Sequence, residues 1–130
     1  MASIIRELHV NAHADSVWDA LRDYGNVHDR VARGFVTDTR TEGDDRIVTF
    51  VNGAVARERL VAADDEHRRL VYSVVESSLD LTHHQASVDV SPSGDGSTLR
   101  WITDVLPDAA AEPIGMMLDA GAVAIQATLS

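Results

Sequence analysis

Glu58, Tyr72 and His84 are three residues of this chain whose side chains can exchange a proton and which share a strand face with apolar neighbours. Glu58 shares a strand face with Ala56 and Leu60, and leaves Arg57 and Arg59 on the other. Tyr72 goes with Leu70, Val74 and Glu76, where Glu76 falls at the strand end as a rim charge. His84 goes with Ala86, Val88 and Val90, which points it inward and His83 outward. A carboxylate in apolar surroundings is costly unless paired or protonated, and burial raises its pKa toward neutrality, as a general acid or base requires. A histidine beside it is a natural proton partner. The same groups also fit a structural role: the carboxylate paired with an arginine, the phenol and imidazole bonded to backbone or to a ligand hydroxyl.

Other chemistries are excluded. Adjacent strand residues point to opposite faces, so His83 and His84 cannot chelate one ion unless they sit in a loop, and no metal site is expected. With no cysteine there is no thiol nucleophile, disulfide or thiolate zinc site. All 11 basic residues are arginine, so no lysine is present to form a Schiff base. There is no Gly-x-Ser-x-Gly elbow, His-Glu-x-x-His pair or phosphate-binding glycine loop, and no cofactor is called for. The formal charge of -10 repels phosphate backbones and anionic headgroups, which argues against nucleic acid as a partner.

The elements that must position these residues follow from periodicity. At 130 residues, 45% hydrophobic and 25% charged, the chain has the size and balance of a single folded domain spanning 1–130. Ser3 to Val10 alternates as a strand. Asp15, Val17, Trp18, Ala20 and Leu21 take helical spacing up to Gly25-Asn26, and Val27 to Ala32 reads as a second short helix. From Phe35 to Val105 the pattern is a meander of six strands. They are Phe35 to Thr41, Arg46 to Val51, Ala54 to Ala62, Arg68 to Glu76, His83 to Val90 and Thr98 to Val105. Asn52-Gly53 and a six-residue turn, Ser91 to Gly96, mark two of the hairpins. A long helix starts near Ala111 with Pro113 in its first turn. Ile114, Met117, Leu118, Gly121, Ile125 and Leu129 form its apolar stripe. Its opposite side, Met116, Ala120, Val123, Ala124 and Ala127, is also weakly polar, which predicts a second buried face and a homodimer. The segment 114–129 is too short and too interrupted to span a bilayer, so no membrane insertion is expected. The amino terminus lacks a hydrophobic signal core, so a cytoplasmic location is expected.

This order, with Val17-Trp18-Asp19-Ala20-Leu21, Arg57-Glu58-Arg59-Leu60 before Asp64-Asp65, Leu70 to Glu76, and Trp101 on the last strand, resembles the START/Bet v 1-like (SRPBCC) superfamily. The likeness is greatest to its bacterial polyketide cyclase/dehydrase and lipid-transport branch, and it covers the whole chain. It implies an α+β helix-grip fold: a seven-stranded curved antiparallel sheet wrapped around a long carboxy-terminal helix, with two short helices after strand 1. It also implies an apolar cavity between sheet and helix, the setting in which apolar lining supplies affinity and a few polar groups fix orientation.

Carried over by strand parity, the resemblance puts the Glu58 face inside. Leu60, Tyr72, Val74 and His84 then line the cavity. Trp101 and Thr103 on the last strand, Val48 and Phe50 on the third, and Met117, Leu118 and Gly121 on the long helix complete the wall. The implied function is binding of a hydrophobic small molecule, lipid, polyketide or isoprenoid-like, for carriage or sequestration. The alternatives are a polyketide cyclase/dehydrase-type enzyme using Glu58 and His84, or Tyr72, for proton transfer, and a ligand-regulated interaction module. The chain departs from the plant hormone receptors of the superfamily, having no lysine for a ligand carboxylate and a shorter Asn52-Gly53 turn.

Overall fold

Alternation over residues 2–10 buries Ile4, Leu8 and Val10 and leaves Ile5, Glu7 and His9 outside. In the computed structural model, which describes all 130 residues, this segment is strand β1 (Ala2–Val10). The period then becomes helical in α1 (Ala14–Arg22), which buries Val17, Trp18, Ala20 and Leu21. Expected to reach Gly25-Asn26, α1 instead stops at Arg22. Asp23 accepts hydrogen bonds from the Asn26 amide and from Arg30, which organises a 3-10 turn over Tyr24–Asn26. One turn of helix follows, α2 (Val27–Arg30), two residues shorter than its pattern predicts. The Trp18 indole N–H donates to Asp65 at 2.9 Å and so ties α1 to the turn between the fourth and fifth strands.

Six strands then build a meander: β2 (Val36–Glu42), β3 (Asp45–Phe50), β4 (Val55–Asp64), β5 (Arg69–Ser77), β6 (His83–Ser93) and β7 (Gly96–Leu106). They form one antiparallel sheet in the order β1-β7-β6-β5-β4-β3-β2, so the first strand returns beside the last. The six-residue turn expected at Ser91 to Gly96 is a correction. Pairing continues through Pro92↔Ser97 to Ser93↔Gly96, and only Gly94-Asp95 turns the chain, with Gly94 at a φ of 59°. Past Val90, whose N–H still reaches the Arg68 carbonyl, β6 is paired on one side only, the edge position in which proline costs no ladder bond.

Helix α3 (Ala111–Leu129) carries Pro113 in its first turn, where the missing N–H has no partner to lose. It lays Ile114, Leu118, Gly121 and Ile125 on the sheet. Its outward side exposes Met116 and Val123, at 67% and 69%, together with Ala120 and Ala127. No helix is long and apolar enough to cross a membrane. The larger core cluster joins α1 and α2 to the strands, and a smaller one gathers Ile4, Val105, Ala110, Ile114 and Leu118. Trp101 packs against both.

Candidate functional site

Between the inner face of the sheet and α3 lies a cavity of about 130 Å³. Hydrophobic residues supply 24 of the 31 that line it, so its few polar groups decide what it accepts. Val48, Phe50, Glu58, Tyr72 and Val74 from β3, β4 and β5 line it. So do His84, Trp101 and Thr103 from β6 and β7, and Met117, Leu118 and Gly121 from α3. Leu60 is a correction: it is only half-buried and packs against the larger core cluster instead of lining the cavity. Tyr24 donates its hydroxyl to the Glu58 carbonyl at 2.9 Å, and a register shift between Leu60 and Ala62 interrupts the β4–β5 ladder beside Leu60.

Glu58 is engaged. Its Oε1 accepts from Arg46 Nε at 2.8 Å, across the register pair Arg46↔Glu58, and the two side chains are only 10% and 6% exposed. The Arg46 guanidinium lies 3.9 Å from the Tyr24 ring centroid and 5.1 Å from that of Tyr72, an arrangement in which aromatic faces replace part of the lost hydration. Burial works against the Arg46 charge, but Glu58 and the two tyrosines outweigh it and hold the group above its ordinary pKa. Burial, reinforced by Glu58, raises the Tyr72 phenol, which therefore stays protonated at neutral pH.

His84 is placed differently from the expected proton partner of Glu58. Its Nδ1 accepts the Val74 backbone N–H at 3.0 Å, which leaves the imidazole proton on Nε2. Main-chain pairing of β5 with β6 ends at Tyr72↔Ala86, and beyond it this bond and one from Ser73 Oγ to the His84 carbonyl hold the strands together. Burial, helped by neighbouring His83, lowers the His84 pKa to about 4. No hydrogen bond joins it to Glu58, so the expected acid–base couple is not formed. His83 is exposed while His84 is buried, as parity requires.

On two of the lining residues, Trp101 Nε1 and Thr103 Oγ1 are buried and make no hydrogen bond of good geometry, although the indole lies close enough to the Tyr72 hydroxyl to offset part of that phenol's upward shift. Gly121 gives Trp101 its seat. A Cβ there would meet the indole at 3.1 and 3.2 Å and Phe35 at 3.3 Å. Sequence reasoning missed Arg46 and Tyr24. Arg46 has the parity of Val48 and Phe50, so the signal was present. It also missed the segment after β5, where Ser78, Leu79 and Leu81 line the cavity.

A curved antiparallel sheet gripping a long carboxy-terminal helix, with an apolar cavity between them, defines the helix-grip class of START/Bet v 1-like proteins. Within it, the chain belongs to the family described as "Polyketide cyclase / dehydrase and lipid transport", whose model matches residues 1–129. Among solved structures it is similar to XoxI from Bacillus cereus, with 19% identity, a TM-score of 0.87, and coverage of 99% of this chain and 96% of that one. A Thermobifida fusca protein is 27% identical with a TM-score of 0.80, covering 99% and 91% of the two chains. A point mutant of norcoclaurine synthase from Thalictrum, in complex with a transition-state analogue, is 26% identical with a TM-score of 0.70, covering 98% and 93%. No curated protein matches the chain.

Proposed function

We propose that this protein binds a hydrophobic small molecule in the cavity between the sheet and α3, for carriage or sequestration. The observation that carries this reading is an apolar wall whose one charged pair, Arg46–Glu58, is already closed upon itself. Such a site offers contact area and hydrogen bonds but no carboxylate free of a partner, which suits binding better than proton abstraction. The test is native mass spectrometry of protein purified from its own host, followed by extraction and identification of what co-purifies. A compound bound near one-to-one, and lost from a Gly121→Leu variant whose new side chain fills the cavity, is the expected result. An empty wild-type protein that also takes up no apolar compound on incubation overturns the reading.

A second reading, an enzyme of the cyclase/dehydrase type, draws support from the family description and from the 26% identity to norcoclaurine synthase. Its proton-bearing groups would be His84 Nε2 and the Tyr72 hydroxyl, because Glu58 is engaged by Arg46. Loss of turnover with retained binding in His84→Gln would favour it. The proposal extends to a homodimer in which the outward face of α3, with Met116 and Val123 seven residues apart and alanines around them, meets its copy.

A further inference from the structure

One end of the sheet collects the β3–β4 turn, the end of β5, the start of β6 and the end of β7, through the pairs Val55↔Thr49, Ala56↔Ser77 and His83↔Leu106. Of the residues lining the cavity, the exposed ones are Val55, Ser77 and Ser78, so the cavity opens at this end. Around the opening Val51 is 65% exposed, Val55 48% and Leu106 36%, and Leu79 and Leu81 are half-buried. Leu79 and Leu81 pack on the cluster of Ala110 and Ile114, which brings the first turn of α3 to the same mouth. Apolar side chains left in water within a polar rim mark a contact surface.

The charge of that rim has one sign. Glu76, Asp80 and Glu112 stand exposed around the opening. No arginine falls within 47–56, 70–99 or 101–130, the stretches from which this end is built. Arg57, opposite Glu76 in the register, turns its guanidinium away to Asp45 and Glu42. Toward the far end, where the β2–β3 and β4–β5 turns lie, Asp45 and Asp15 are each met by arginine. These facts select an occupant for the mouth. A second copy would set carboxylates against carboxylates, and an anionic bilayer would be repelled in the same way. A neutral bilayer would strip water from the carboxylates and return no partner.

We propose that the mouth is a docking surface for a basic amphipathic segment of another protein. The apolar ridge of that segment covers Val51, Val55 and the Leu79–Leu81 stretch, and its lysines or arginines meet Glu76, Asp80 and Glu112. A partner seated there covers the opening, so that an apolar ligand passes between the two proteins without crossing water. That hand-over rests on the cavity-binding reading above, whereas the docking does not.

Three peptides of one length test the proposal by fluorescence anisotropy with the full chain. The first sets leucine and lysine at helical spacing, the second replaces its lysines by glutamate, and the third replaces its leucines by serine. The wild type binds the first, more weakly as salt is raised, and binds the other two at least about tenfold less well. Glu76→Arg with Asp80→Arg weakens the first peptide by about tenfold, and Val51→Ser with Val55→Ser by about fivefold. Asp44→Arg with Glu66→Arg makes the same change of net charge at the far end and leaves binding within about twofold. Thermal denaturation verifies that each variant is folded, and the arginine pair decides the matter if the serine pair is not. A far-end pair that weakens binding as much as the mouth pair, or a serine peptide that binds as well as the leucine one, reduces the effect to net charge and overturns the proposal. Phosphatidylcholine vesicles that bind where the first peptide does not would also overturn it, in favour of a membrane. Gly121→Leu, with the cavity filled, keeps its hold on the peptide. If that hold is lost, the peptide enters the cavity as a ligand, and docking fails while the cavity reading stands. A chain that binds the peptide at the mouth but takes up no apolar compound keeps the docking surface and loses the cavity reading.

Discussion

Arg46 and Glu58 sit face to face across β3 and β4, and breaking such a buried pair leaves one charge stranded. Glu58→Gln is expected to lose about 3–5 kcal/mol of stability in urea denaturation, whereas a double replacement by Met at 46 and Leu at 58 regains most of it. A double variant as unstable as the single one would contradict this. His84 makes a prediction about acid. Its folded-state pKa, about 4, lies below the ordinary imidazole value of 6.5, so between those values the unfolded chain binds the extra proton. Stability from this residue is complete above pH 6.5 and drains as pH falls toward 4, by up to about 3 kcal/mol. Asp45, lowered to about 2 by Arg59 and Arg57, loses its contribution only below the ordinary aspartate value of 3.8, outside that window. Exposed His67, raised by Asp64, acts with the opposite sign, so the difference between wild type and His84→Gln isolates the effect. Parity, applied through the likeness to the superfamily, pointed to Tyr72, His84, Trp101 and Thr103, which line the cavity. It did not reveal Arg46, because an arginine reads as a solvated charge until the register places a carboxylate opposite it.

Individual elements rest on close approaches that only glycine allows. At Gly96, where β7 begins, a Cβ would stand 2.2 Å from the Val10 carbonyl oxygen, a backbone atom that cannot step aside. Gly96→Ala should therefore destabilise by about 1–3 kcal/mol or more, and thermal denaturation checks it. Gly121 in α3 behaves differently. Alanine there gains up to about 1 kcal/mol of helix propensity, yet pushes on Trp101 and Phe35. The expected result for Gly121→Ala is near-wild-type stability with several-fold weaker uptake of a ring-sized ligand; unchanged uptake would count against the cavity assignment. Strand and helix identities were legible because the hydrophobic period switches cleanly from two to 3.6 and back. Ends were less so. The stop of α1 depends on the Asp23 side chain finding Asn26 and Arg30, and the shortness of the β6–β7 turn depends on Pro92 lying where β6 lacks its second neighbour. The Leu79–Leu81 wall has no regular period to announce it.

For the molecule as a whole, the exposed side of α3 makes self-association measurable. Sedimentation at tens of micromolar should show a dimer that Val123→Arg converts to a monomer, and a wild-type monomer at that concentration would remove the homodimer from the proposal. At this scale element order and the apolar stripe of α3 yielded only a sheet and a helix to lie on it; the grip of one on the other came from the likeness to the superfamily. The cavity's contents were not legible, because which donors lack partners is decided by distances between strands far apart in sequence. The two tryptophans divide the molecule between them. Trp18 is tied by its indole N–H to Asp65 where α1 meets the β4–β5 turn, and Trp101 stands on the cavity wall beside Tyr72. Intrinsic emission is thus two optical channels in one chain. Trp101→Phe leaves a signal that follows loss of the fold, and Trp18→Phe leaves one that follows occupancy of the cavity, so binding and unfolding can be read separately with no dye attached.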